Sequence, residues 1–265
     1  MPPVDALDAT ERPFRVHLTG FGPFRDIKEN PSWLAVRALD GETLSEPPPP
    51  LSEHTPAATP SASSTPMRGH RPVHLSCSLL PVEYSAVEQL APRLQLASPG
   101  RPPPDLIVHV GVSAGDSAIR LEQRARKFGY NSLDAAGRHA PGHDGTEAQE
   151  ASVSSARRGF VDSDWETAPD ELRTRVDADT VIRWAKSHGL AFLSPSEDAG
   201  LYLCEFSYFA SMAAARQHNP VAPTPVQFIH VPPVGNPYSA TELTAAICLL
   251  VWAIAGQFTD NSDNV

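Results

Sequence analysis

Apolar positions along this chain change period repeatedly, between runs suited to strands and spacings suited to helices. Phe14 to Thr19 reads as a strand. Asn30-Pro31 then has the form of a helix start, with asparagine as cap and proline at the first helical position, leading into Trp33, Val36 and Leu39. Val73 to Leu80 is a second strand, and the periodicity from Tyr84 to Ala97 is helical. The continuous apolar run Leu106 to Val110, bounded by Pro102-Pro103-Pro104 and Gly111, marks a strand buried on both faces. Val176 to His188 predicts a helix ended by Gly189, with a strand at Leu190 to Leu193. A helix over Tyr202 to Ala215, a strand over Val226 to Val231 and a closing helix over Ser239 to Ala255 complete the series. This alternation predicts a single-domain α/β/α sandwich, its mainly parallel twisted sheet covered by helices on both faces. Ligands on such sheets bind beyond the carboxyl ends of the strands, so chemistry is to be sought there.

Two stretches interrupt the pattern. From about residue 43 to 71 the chain is rich in Pro, Ser, Thr and Ala and nearly devoid of large apolar residues. Such a composition buries too little surface to offset its ordering entropy, which predicts a mobile surface insertion. A second irregular insertion is expected over about 139 to 170, with Gly142, Gly145 and Gly159 and the basic pair Arg157-Arg158. The domain is thus expected over 14–256, with flexible ends at 1–13 and 257–265.

Composition narrows the partners. The net charge of −10, from 31 acids against 21 bases, argues against nucleic acid or an anionic membrane surface as the main partner. No apolar run approaches the roughly 18 residues of a membrane span, and Ala245 to Ala255 reads as core packing. Asp5, Asp8 and Glu11 with no apolar segment argue against a secretory leader. Three cysteines far apart make a disulfide framework a poor fit, which suggests a reducing, cytoplasmic setting.

Three strand ends hold candidate chemistry. Thr19-Gly-Phe-Gly-Pro-Phe24 lacks the third glycine of a dinucleotide turn, and Pro23 removes an amide donor. It would instead present Phe21 and Phe24 on a tight loop, unless both rings simply pack the core. Gly111-Val-Ser-Ala-Gly115 follows the buried strand and has no Gly-Lys-Ser/Thr element. Glu122 lies beyond it among Arg120, Arg124 and Arg126, surroundings that suit a solvated residue. Asp198 to Cys204 contains the break at Gly200, which puts Cys204 in the first turn of a helix, where the dipole favours a thiolate. Cys77, on a strand, and Cys248, in the closing helix, fit buried structural thiols. Of ten histidines, His230 ends the strand Val226 to Val231 just before Pro232-Pro233, and so emerges at the same sheet edge. A cysteine with a histidine 26 residues further on is a plausible nucleophile and base, though spacing alone leaves it one possibility among several. His139 and His143 are four apart, but Pro141 and Gly142 between them forbid the helix of a metal pair, and no metal or cofactor is expected.

Taken in order, the blocks resemble the pyroglutamyl-peptidase I family of cysteine peptidases. The resemblance runs through Thr19 to Phe24, Asn30-Pro31-Ser32-Trp33, Pro104 to Val112, Glu122 within Arg120-Leu-Glu-Gln, Asp198 to Cys204, Phe228 to Pro233 and Pro237-Tyr238-Ser239-Ala240. It implies a triad in which Cys204 attacks, His230 moves the proton and Glu122 orients the imidazole. It implies a peptide substrate with an N-terminal pyroglutamyl residue, its ring held between Phe21 and Phe24, with Asn30 and Leu203 also at the substrate site. Arg138, in Asp134-Ala-Ala-Gly-Arg, matches the family's arginine near the oxyanion, with one residue extra. Where the family continues Phe-Gly-Gly, this chain has Phe24-Arg25-Asp26. A non-catalytic relative binding through the pocket or the Pro-rich insertion is the rival reading; Cys204, His230 and Glu122 occurring together argue against it.

Overall fold

The computed structural model describes residues 12–25, 27–51, 71–97, 102–142, 158–160 and 165–259. Nine strands and five helices follow in chain order among these residues. They are β1 (Phe14–Phe21), α1 (Pro31–Val36), β2 (Thr43–Leu44), β3 (Val73–Leu80), α2 (Tyr84–Leu94), β4 (Leu106–Val112), β5 (Ile119–Glu122) and β6 (Arg124–Arg126). After these come β7 (Glu171–Arg173), α3 (Ala178–Ser187), β8 (Leu193–Ser196), α4 (Leu203–His218), β9 (Val226–Val231) and α5 (Ala240–Thr259).

Seven strands form one sheet in the order β2-β3-β1-β4-β9-β5-β8. The pairs β1–β3, β1–β4, β4–β9 and β5–β8 are parallel, while β2–β3 and β5–β9 are antiparallel. The sheet is therefore mainly parallel, as the alternation predicts, with β2 at one edge and β5 and β8 at the other running against the four strands between them. Each face carries its own core. Apolar residues of α1, α3 and α5 pack one face, and those of α2 and α4 pack the other. The central strands β4 and β9 are buried on both sides, which their unbroken apolar runs require.

Local chemistry fixes the ends of the elements. Asn30 Oδ1 accepts from the Ser32 amide as the cap of α1, and Pro31 occupies the first turn. Gly20 is there because α1 crosses β1 closely: a Cβ would lie 2.7 Å from the Trp33 Cα. Helix α5 is apolar enough and long enough to cross a membrane by composition, with a mean hydropathy of 1.5 over its best window. In this fold Leu243, Ile247, Leu250, Val251 and Ile254 are fully buried in the core, which is the ordinary fate of a helix apolar all round.

Several expectations need correction. The strand expected at Leu190 to Leu193 lies at Leu193–Ser196 instead. Leu190 is buried in a turn after Gly189, so its apolar character reports packing rather than strand pairing. The start of the Pro-rich insertion belongs to the fold: β2 pairs with β3, and the Leu51 amide donates to the His188 carbonyl at 3.0 Å. The remainder, 52–70, lies outside the described residues. The irregular stretch over 139–170 is anchored in the core. Phe160 is fully buried and stacks on Phe206 and Phe209 of α4 at 4.1 and 4.8 Å, and Trp165 packs against it. Residues 143–157 and 161–164 of that stretch, with Arg157 and Gly145, lie outside the described residues. At the ends, Arg12 makes two hydrogen bonds to Asp105, at 2.7 and 2.8 Å, and α5 continues to a buried Thr259.

Candidate active site

Strand alternation puts Thr19 and Phe21 of β1, His109 and Gly111 of β4, and Phe228 and His230 of β9 on one face. This is the face covered by α2 and α4. Because β5 runs antiparallel to β9, Glu122 stands opposite Phe228 and diagonal to His230. Its Oε1 lies 2.8 Å from His230 Nδ1, and both residues are buried. The carboxylate thus fixes the ring and leaves the other ring nitrogen for a different partner. Glu122 is itself held by its backbone: its carbonyl accepts from Tyr208 Oη at 3.0 Å and from Gln227 Nε2 at 2.9 Å. The expectation of a solvated glutamate among arginines fails here, because the reversed strand turns that side chain inward.

Cys204 is the second residue of α4, partly exposed, and its sulfur hydrogen-bonds His230. Gly111 makes this approach possible. A Cβ at that position would lie 2.9 Å from Cys204 Sγ and 2.7 Å from the Phe228 ring. Burial by itself would lower the basicity of His230, but the Cys204 sulfur and the Glu122 carboxylate outweigh it and push the imidazole up to about 10. The ring thus lies between sulfur and carboxylate, and both favour its protonated form.

Cys204, His230 and Glu122 line a cleft of about 760 Å³ together with Ser113, Asp116, Arg120, Ser196 and Tyr202. Its walls carry charge: Arg120 pairs with Asp116 at 2.5 Å, and Arg124, also in the lining, reaches Glu171 outside it at 2.6 Å. Among the described residues no group of three or more His, Cys, Asp or Glu side chains is arranged to hold a metal ion.

The other candidates fall in different places. Phe21 is buried 6.4 Å from the Phe228 ring, and half-buried Phe24 packs 5.5 Å from Tyr202. Arg25 adopts φ 51, the left-handed conformation that favours glycine, and lays its guanidinium 4.8 Å from the Phe24 ring centroid. Asn30 is committed to structure, since Nδ2 donates to the Gly22 carbonyl while Oδ1 accepts from the Ser32 amide and hydroxyl. Leu203 is buried in the core beneath α4, so only its backbone is left to face a substrate. Arg138 is half-exposed, donates to Glu83 at 2.6 Å and Ser85 at 3.0 Å, and does not line the cleft. Sequence reasoning missed Arg126 and Glu205. Glu205 directly follows the nucleophile candidate, but only the fold reveals that its carboxylate is buried against Arg126.

Comparison with known proteins adds an independent line. No protein-family model matches the chain. It is 30% identical over 242 residues to pyroglutamyl-peptidase 1 of Rattus norvegicus, covering 91% of this chain and 90% of that protein. The corresponding protein of Homo sapiens is 30% identical over 237 residues, covering 89% and 87%. Among solved structures, pyrrolidone carboxyl peptidase of Thermococcus litoralis superposes with a TM-score of 0.67 at 18% identity, covering 95% of this chain and 98% of that one. Pyroglutamyl peptidase I of Bacillus amyloliquefaciens does so at 0.64 and 21%, covering 91% and 97%. Conserved length, shared fold and the likeness to the mammalian sequences agree: the chain belongs to the pyroglutamyl-peptidase I family, a family of cysteine peptidases.

Proposed function

We propose that this protein removes N-terminal pyroglutamyl residues from peptides through a Cys204–His230–Glu122 triad. The observation that carries the reading is His230, bonded by Nδ1 to buried Glu122 and in contact with the Cys204 sulfur. In this scheme the Cys204 thiolate attacks the pyroglutamyl carbonyl carbon, and the carbonyl oxygen takes up the negative charge. His230 gives its proton to the leaving amine as the C–N bond breaks, which leaves a thioester on Cys204. Water then attacks the thioester, His230 takes its proton, and pyroglutamate leaves as the thiolate is regenerated. Glu122 keeps the imidazole in the orientation and charge state both steps need.

We assign the oxyanion to first-turn amides of α4, which have no intrahelical acceptor and no side-chain cap from Tyr202. Arg138 is already engaged by Glu83 and Ser85. The lactam ring would lie on the Phe21 and Phe24 side of the sulfur, where apolar walls suit a neutral five-membered ring. Since His230 must protonate the leaving amine, the departing peptide would lie on its side, in the large cleft. Three free thiols among the described residues support a reducing, cytoplasmic location.

The test is turnover of pyroglutamyl-aminomethylcoumarin under reducing conditions. Wild-type protein is expected to release the fluorophore; Cys204→Ala should abolish release, while Cys77→Ala and Cys248→Ala keep it. Folded wild-type protein without turnover would sink the reading.

A further inference from the structure

The start of α4 is held by an unusual device. Tyr202, its cap residue, is extended at φ −135 and makes no side-chain cap bond. Leu201 before it is left-handed at φ 45, a conformation unfavourable for any residue but glycine, which persists only if its surroundings impose it. What imposes it is Glu205, the third residue of α4, whose Oε2 accepts from the Leu201 amide at 2.9 Å. Glu205 is 1% exposed, and an isolated buried carboxylate would be strongly unfavourable. Arg126 of β6 compensates it. Oε1 accepts from the Arg126 amide at 2.8 Å and from Nε at 2.7 Å, and Oε2 from Nη2 at 2.8 Å. The same Nη2 also donates to Asp198 Oδ1, which in turn accepts from the Gly200 amide at 3.1 Å. One guanidinium thus clamps both ends of the turn from Asp198 to Glu205, with Cys204 inside it.

We propose that Arg126 and Glu205 act together as positioning residues that set the Cys204 sulfur against His230 and over Gly111. Burying a carboxylate against a partly exposed guanidinium, where a serine or aspartate at position 202 would cap the helix more simply, is hard to explain by stability alone. A cap side chain at 202 would also occupy the first-turn amides that the oxyanion needs. The clamp leaves them open, and the guanidinium cancels the negative charge that Glu205 would otherwise place one residue from the sulfur. Neither residue touches the reacting atoms, so their effect is on orientation.

This inference rests on Cys204 being the nucleophile, and the test therefore reads the thiol directly as well as through turnover. Iodoacetamide modification of Cys204, followed by mass spectrometry, and kcat and KM on pyroglutamyl-aminomethylcoumarin are measured for wild type, Glu205→Gln, Arg126→Met and the double variant. Arg126→Lys is added as a variant that keeps the charge but cannot reproduce the fork. A displaced nucleophile should lower kcat and the modification rate by about 10- to 100-fold, with KM within about twofold. The double variant should be no worse than the worse single one, as expected of two residues acting as a unit. Folded variants that react at the wild-type rate would overturn the proposal, as would single losses that simply multiply. Failure of both Glu205→Gln and Arg126→Lys to fold would also overturn it, in favour of a purely structural pair. If wild type modifies rapidly at Cys204 and the variants slowly, but none turns over substrate, the positioning role stands and the peptidase reading falls.

Discussion

Cys204 differs from the other two thiols in its neighbours. Burial pushes Cys77 up to about 12, helped by Asp40, and its sulfur donates to the Val36 carbonyl at 3.1 Å. Burial likewise raises Cys248 to about 11. Both are held as thiols at neutral pH, whereas Cys204 faces His230, whose protonated form the sulfur and Glu122 favour. The residue that admits this contact is Gly111, and it is a sharp place to test the geometry. Gly111→Ala puts a methyl within 2.9 Å of the sulfur and 2.7 Å of Phe228, so something has to move. The ring is part of a packed core, and the thiol at the cleft edge gives more easily. The expected result is at least a tenfold loss of kcat with a stability cost of about 1–3 kcal/mol. A kinetic assay beside a urea titration checks both, and an unchanged kcat would show that the sulfur does not work from above Gly111.

At the scale of elements, the antiparallel strand β5 matters most. Its reversal carries Glu122 to the face of His230, whereas a parallel strand in its place would emerge at the wrong end. A second histidine ties the elements beneath the site. His109 on β4 lies 2.7 Å through Nδ1 from Thr19 Oγ1 on β1, and 2.7 Å through Nε2 from Ser211 Oγ on α4. Burial pushes it down to about 3, with His17 adding a smaller effect in the same direction. Its folded-state value lies below the unfolded one of about 6.5, so between these values the unfolded chain binds more protons. The stability contributed by neutral His109 is full above about pH 6.5 and is lost as the pH falls toward 3. His230 has the opposite sign: its contribution is full below about 6.5 and is lost as the pH rises through about 10. Urea unfolding between pH 6.5 and 5 should therefore show stability falling by up to about 1.4 kcal/mol per pH unit. His109→Gln should flatten that slope; an equally steep slope in the variant would assign the effect elsewhere.

For the molecule as a whole, one sheet separates two cores, and every central strand contributes to both. Such sharing predicts a single cooperative transition rather than two. Trp33, Trp184 and Trp252 all belong to the core on the α1, α3 and α5 face, while Trp165 belongs to the other. Thermal melts followed by far-UV dichroism, by total tryptophan fluorescence and by a Trp165-only variant should coincide. Resolved midpoints would mean that the faces unfold separately.

The hydrophobic pattern by itself determined the main strands, the five helices and the layered α/β class, because burial on one or both faces imposes period and run length directly on a sequence. Strand β3 falls on the expected residues, and β9 does too. The helix start at Cys204 was also legible, and the ordered blocks from Thr19 to Ala240 singled out Cys204, His230 and Glu122, which the fold brings together. What the pattern missed are the short pairings β2, β5, β6 and β7 of two to four residues, which are too brief to show a period and form only because distant partners are already in place. The same holds for Phe160, whose irregular surroundings hide a core anchor. Only tertiary structure decided that β5 runs backward, that Glu122 is buried on His230 rather than solvated among arginines, and that Glu205 is locked to Arg126. Those outcomes depend on contacts made across 108 and 79 residues of chain, and such contacts leave no periodic trace in the segments they join.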